Sequence, residues 1–179
     1  MRRFNRVFVL LTCCLVVGAC GQPSEPVAGE RRKVDASGKQ ATGLDAVPEA
    51  VLAAARAARP DLEIAEAEYE TRDGNEYYDV GGTLPDGSEL ELDMTLQGGA
   101  WTVVEIQRDI AYAAAPAVVR DELSAHAAGW TPDRIIESDQ GDGVIIYEFF
   151  GPGETGEPKK IEVKLEQGKA EVLVDEWLH

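Results

Sequence analysis

The sequence predicts an α+β fold of two tandem units. Each unit is a helix region packed on a three- to four-stranded antiparallel sheet. Three observations predict it. Leu90, Leu92, Met94 and Leu96 alternate with Glu89, Glu91, Asp93 and Thr95, the two-residue period of a strand with one packed face and one wet face. Two alanine-rich segments start just after a proline, at Pro48 and Pro116, where a missing N–H costs a helix nothing. The third is a repeat. Val47-Pro48-Glu49-Ala50-Val51 returns as Ala115-Pro116-Ala117-Val118-Val119, Tyr78-Asp79-Val80 as Tyr147-Glu148-Phe149, Leu90-Glu91-Leu92 as Ile161-Glu162-Val163, and Gln97-Gly98 as Gln167-Gly168. Matches in one order at an offset near 70 read as a duplication with loop changes.

Taken from the start of the chain, the first element is an address. Arg2, Arg3 and Arg6 precede an apolar run from Val7 to Gly18. Twelve residues suit a signal-peptide core, whereas a spanning helix needs about 20. The run ends in Val17-Gly18-Ala19-Cys20, which resembles the lipobox of bacterial lipoproteins. That resemblance implies cleavage after residue 19, acylation of Cys20 and an anchor in a lipid bilayer. Two or more chains hold firmly, since each buried CH₂ contributes about 0.8 kcal/mol. With Gly21 next, it also implies the periplasmic side of the outer membrane in a Gram-negative host. An ordinary signal peptide that leaves Cys20 as a free thiol is the other reading.

Residues 20–43 form the next element, the modified cysteine and a tether. Pro23, Pro26, Gly29, Ser37, Gly38 and Gly43 interrupt it without apolar periodicity, so it reads as a flexible linker. Arg31, Arg32 and Lys33 are read as solvated linker charge, since three charges are few, with contact to anionic headgroups as the other reading.

Unit one is expected over 44–110 and unit two over 111–179. The helix of unit one carries Val47, Val51, Leu52 and Ala55 on one stripe, and that of unit two carries Val118, Val119, Leu123 and Ala127, with Gly129 as a stop. Asp73-Gly74 and Asp86-Gly87 punctuate hairpins. The two sheets either stay separate or join edge to edge, and joining would hide free strand edges. Val47-Pro48-Glu49-Ala50-Val51, Glu76-Tyr77-Tyr78-Asp79-Val80, the run from Asp86 to Leu92 and Trp101-Thr102-Val103-Val104-Glu105-Ile106 together resemble the PepSY-like domain family. Unit two resembles it more weakly. Tandem units of this kind also resemble β-lactamase-inhibitor proteins. The resemblance implies an exported binding or inhibitory module and transfers no particular target.

Chemistry is scarce. All three cysteines lie in the first twenty residues, and there are two histidines, His126 and His179. No cysteine cluster, multi-histidine site, nucleophile elbow, zinc-protease helix or phosphate loop can be assembled. Ser124 and His126 stand two apart on a helix and point in different directions. The segment Asp139-Gln140-Gly141-Asp142-Gly143 looks like a calcium loop, but that register puts Ser138 and Phe149 where carboxylates are needed. Neither an enzyme, a cofactor nor a metal site is expected. The chain has 33 acidic and 17 basic side chains, a net charge of −16. Residues 44–179 alone carry 30 and 10. Nucleic acid is excluded as a partner, since binding it needs a basic surface.

What remains is a face. Alternation places Tyr78, Val80, Leu90, Leu92, Met94, Val104 and Ile106 inward in unit one. It places Tyr77, Asp79, Glu89, Glu91, Asp93, Trp101, Val103 and Glu105 outward. In unit two, Ile145, Tyr147, Phe149, Ile161, Val163, Leu165, Val172 and Val174 point inward. Val144, Ile146, Glu148, Phe150, Glu162, Lys164, Leu173, Asp175 and Trp177 point outward. From the outward set, Tyr77, Asp79, Glu89, Glu91, Asp93, Trp101, Val144, Ile146, Phe150 and Trp177 are the candidate partner-binding residues. Aromatic and apolar groups within an acidic rim suit a cationic protein or peptide. Cover by the other unit, by the tether or in a homodimer is the competing explanation. A structural or divalent-cation-binding role is the alternative function.

Overall fold

The computed structural model describes residues 36–177. Cys20, the segment before it and the Arg31–Lys33 cluster lie outside the described residues. Among the described residues no helix is long and apolar enough to cross a membrane.

The fold of the described residues is α+β, with nine strands in one antiparallel sheet whose spatial order follows the chain. The strands are β1 Gln40–Ala41, β2 Glu63–Arg72, β3 Asn75–Thr83, β4 Glu89–Gln97, β5 Ala100–Asp109, β6 Arg134–Asp139, β7 Val144–Pro152, β8 Pro158–Glu166 and β9 Lys169–Val172. Helix α1 spans Glu49–Ala58, between β1 and β2. Helix α2 spans Ala117–His126, between β5 and β6. Strands β5 and β6 pair through Ile106↔Asp139, Gln107↔Ser138, Arg108↔Glu137 and Asp109↔Ile136. The open question of separate or joined sheets is thereby answered in favour of one continuous sheet.

Each helix begins one residue after its proline, so Pro48 and Pro116 occupy the cap position, with extended ψ of 135° and 145°. Val47, just ahead of the cap, and Leu52, four residues into α1, are both buried in one apolar cluster. That spacing is a hydrophobic staple, which sets the angle at which the chain enters a helix. Val51 and Ala55 complete the expected stripe. In α2 the buried residues are Val119 and Leu123, while Val118 is exposed, a correction to the expected stripe. Arg120 Nη1 donates to the carbonyls of Ala113 and Ala115 and ties the preceding 3₁₀ turn, Tyr112–Ala114, onto α2.

The apolar residues gather in two clusters on one side of the sheet. One joins α1 to Tyr78, Val80, Leu90, Leu92 and Met94. The other joins α2 to Ile135, Tyr147, Phe149, Ile161 and Val163. The inward assignment for β3, β4, β7 and β8 therefore stands.

In β5 it holds for Ile106, which packs against the first cluster, and fails before it for a specific reason. Asp93 pairs with Glu105 but the next residue, Met94, pairs with Val103. Val104 is the extra residue of a β-bulge, and a bulge shifts the phase of every side chain on one side of it. Trp101 and Val103 consequently pack against the first cluster. The Trp101 ring meets Tyr78 edge-on at 5.2 Å. Both residues were expected outward, and Val104 was expected inward. Val174 also departs from expectation, being almost wholly exposed.

A second bulge sits in β2 at Ala65, between Ile64↔Gly82 and Glu66↔Gly81. Gly82 is required there. A Cβ on it would lie 2.2 Å from the Glu63 carbonyl oxygen, inside any allowed contact.

Candidate functional site

The face of the sheet opposite the helices is built by cross-strand register. Glu68 lies opposite Asp79, Asp79 opposite Asp93, and Asp93 opposite Glu105. Four carboxylates therefore form one row across β2, β3, β4 and β5. Like charges placed directly opposite are destabilising, and three of these carboxyls are sheltered from water. Asp79 and Asp93 are each 3% exposed, and Glu105 is 4% exposed. One register step along, Glu66, Gly81, Glu91 and Gln107 form the neighbouring row. Gly81 contributes no side chain, and a cleft of about 300 Å³ opens beside it, lined by Glu66, Glu89, Glu91, Gln107 and Asp109 together with Arg108 and Arg134.

A cation sits in this acidic setting. Lys39, just ahead of β1, places its ammonium 2.6 Å from Asp79 Oδ2 and 3.8 Å from Glu91 Oε1. The Asp79 contact is a close ion pair. Asp79 Oδ1 meets no hydrogen-bond donor among the described residues. Gln107 Nε2 donates to Asp93 Oδ2 at 3.3 Å.

Titration follows this geometry. Burial, then the charges of Asp79, Glu105 and Glu91, push Asp93 up to about 9, so it carries a proton at neutral pH. Burial also raises Glu91, against the pull of Lys39. Burial works against the charged form of Lys39, yet its contact with Asp79 and the charges of Asp79, Glu91 and Asp93 hold it above the ordinary lysine range. Asp93 is thus the neutral member of the row, and the Lys39 ammonium sits against Asp79 and Glu91.

Asp79, Glu91 and Asp93 can each offer an oxygen within 4.8 Å of the others. Sequence reasoning assigned no metal ligands, while divalent-cation binding stood as its alternative function. The alternation already put all three on one face. What alternation does not supply is the register that sets them side by side.

The remaining candidates divide. Glu89 is exposed beside the cleft. Tyr77 is buried, and the Arg72 guanidinium covers its ring at 4.0 Å, so it offers no open aromatic face. Trp101 belongs to the core, as described above. In β7, Val144 and Ile146 do point outward but are 8% and 1% exposed, and Phe150 lies half-buried between Arg134 and Lys160.

The chain's own C-terminal segment crosses this part of the face. Leu173 N–H donates to the Glu162 carbonyl at 2.9 Å. The Trp177 backbone N–H donates to Glu162 Oε2 at 2.7 Å, and its indole N–H to Gln140 Oε1 at 2.9 Å. Lys160 bridges Glu148, Glu162 and Glu176. Trp177 is therefore a clasp, not a free docking group. The apolar docking surface expected in the second half is not open. Cover by a C-terminal clasp was not among the explanations weighed from sequence.

The calcium-like loop is a hairpin. Asp139 Oδ1 accepts from Gly141 N–H and Asp142 Oδ1 from Val144 N–H, so both carboxylates hold the β6–β7 turn. Ser124 donates back to the Arg120 carbonyl, four residues earlier.

Taken together, the geometry can hold a positively charged group at the junction of β3 and β4, next to an open cleft. Compared with known proteins, the chain matches no family model, no curated protein and no solved structure.

Proposed function

We propose that this chain is a non-catalytic binding module that takes a cationic protein or peptide on the acidic face of its sheet. One observation carries the reading. Four carboxylates lie in one cross-strand row, and a lysine ammonium is seated against Asp79 and Glu91. Crowding carboxyls into one row is costly to fold whether they ionise or hold protons, and a cation from outside offsets that cost. Interfaces of this type gain speed and selectivity from charge and weaken as salt rises.

The setting proposed for the module is the cell envelope. Val17-Gly18-Ala19-Cys20 supports a lipoprotein held in a bilayer through acylated Cys20, on the periplasmic side of the outer membrane in a Gram-negative host. The tandem PepSY-like organisation, with units at 44–110 and 111–179, rests on the internal repeat and agrees with the two apolar clusters. Inhibition of a bound partner is one use of such a module.

The test is anisotropy of dye-labelled decalysine against the full chain. Binding should fall at least about tenfold in the Asp79→Asn/Glu91→Gln variant, and again at about 0.5 M salt. Equal binding by wild type and variant at low salt would refute the site.

A second reading has its own observation. The converging oxygens of Asp79, Glu91 and Asp93 suit a hard divalent cation, although calcium takes 6–8 oxygen ligands. Lys39 competes for the same oxygens, which favours an ammonium over a metal. A calcium-dependent rise in melting temperature, lost in Asp79→Asn, would reverse that order.

A further inference from the structure

We infer that the strap around Lys39 occupies a seat that fits an extended, lysine-bearing segment of a partner protein, which pairs with the edge of β2. The inference rests on the cation-binding reading above and specifies the partner's form.

The strap is residues 36–42. It meets β2 at few points. Ala36 bridges to Arg72, Gln40 pairs with Tyr69 and Ala41 with Glu68. Ser37 N–H donates to the Thr71 carbonyl, Thr71 N–H returns a bond to Ser37 Oγ, and Thr42 N–H donates to the Ala67 carbonyl. Almost all of these are main-chain bonds, which any extended segment makes. The strap's other side chains are small or polar, and residues 36–41 are all exposed. None of them belongs to either apolar cluster. Its one deep side-chain contact is the Lys39 ammonium on Asp79, a residue 3% exposed. Specificity in this seat therefore resides in a single lysine at a fixed register.

The seat is also larger than its occupant. Thr42 is the last strap residue bonded to β2, through Ala67, and Glu63–Glu66 at the start of β2 have no strap residue paired to them. That uncovered edge carries Glu63 and Glu66 and runs beside the cleft over Gly81. A partner strand continuing past the Thr42 position gains those main-chain bonds, and basic residues on it meet those carboxylates. The strap, being in the same chain, acts at a high effective concentration. It lowers the apparent affinity for an external segment by the fraction of time it stays seated.

The experiment uses the full chain as wild type, Lys39→Met and Lys39→Gln, with unfolding curves to establish that all three fold. The probes are a dye-labelled octapeptide with the sequence of residues 36–43, its lysine-to-methionine counterpart, and decalysine. Both variants should bind the octapeptide at least about tenfold more tightly than wild type. The methionine counterpart should not share the gain. Equal octapeptide binding by wild type and variants, or by the two peptides, overturns the strap inference. If decalysine still binds wild type in that case, the cation-binding reading survives alone. If decalysine binds none of the three proteins, both fail.

Discussion

Replacing Asp93 by asparagine should stabilise this protein at neutral pH, and by an amount that depends on pH in a definite direction. Asp93 titrates at about 9 in the folded chain, against about 3.9 for an ordinary aspartate. Between those values the folded state holds a proton that the unfolded state has released. The folded pKa is the raised one, so the contribution is fully favourable below pH ~4. It is lost by about 1.4 kcal/mol per pH unit as pH rises, and levels off above pH ~9. At pH 7 the accumulated loss is about 4 kcal/mol at most, part of it driven by the neighbouring charges of Asp79, Glu105 and Glu91. Asparagine copies the shape of the neutral acid and cannot ionise. Its amide oxygen can still accept the bond that Gln107 donates. Asp93→Asn should therefore gain about 2–4 kcal/mol at pH 7, or roughly 6–12 °C in melting temperature, and almost nothing at pH 4. Urea unfolding of both proteins across pH 4–9 reads the difference, because carboxylates away from this row cancel in the comparison. Parallel pH profiles, or a variant less stable at pH 8, would refute the assignment of a buried, proton-holding carboxyl at this position.

Three further outcomes follow from the packing. Trp101→Ala should cost about 3 kcal/mol in urea unfolding and leave decalysine binding unchanged, since its ring packs on Tyr78 and not on the acidic face; weakened binding with unchanged stability would contradict the bulge. Gly82→Ala should destabilise the fold strongly because its new methyl meets the Glu63 carbonyl at 2.2 Å. Gly81→Ala, which meets only the Glu66 side chain at 3.0 Å, should be mild, and equal melting temperatures for the two would deny the β2 bulge. Trp177→Ala keeps the backbone N–H that bonds Glu162 but loses the indole bond to Gln140, so it should loosen the clasp, raise the fluorescence of a hydrophobic dye and cost about 1 kcal/mol; an unchanged dye signal would show that the Trp177 ring covers no apolar surface.

Much of this fold is legible in the residues. The alternation in β4 identifies which side chains pack and which do not, and Pro48 and Pro116 mark both helix starts to within one residue. Leu90, Leu92 and Met94 are buried as the pattern requires. The failures have physical causes. Val104 adds one residue to β5, and period-two reading carries no sign of a bulge, so Trp101 and Val103 change faces. The clasp of Trp177 depends on contacts with Glu162 and Gln140, 15 and 37 residues away in sequence, which no local pattern encodes. The acidic site was half visible. Asp79, Glu91 and Asp93 were placed on one face, while the register that sets Asp79 beside Asp93, and the reach of Lys39 from the tether, depend on tertiary pairing.

Backbone chemical-shift mapping of the isotope-labelled chain during a decalysine titration tests the central claim most directly. Saturable shifts should concentrate at 66–68, 79–81, 91–93 and 105–107, with Lys39 moving as its seat is contested and the residues of α1 and α2 staying still. Shifts spread evenly over every exposed carboxylate, or centred on the helix side of the sheet, would contradict a recognition site on the acidic face.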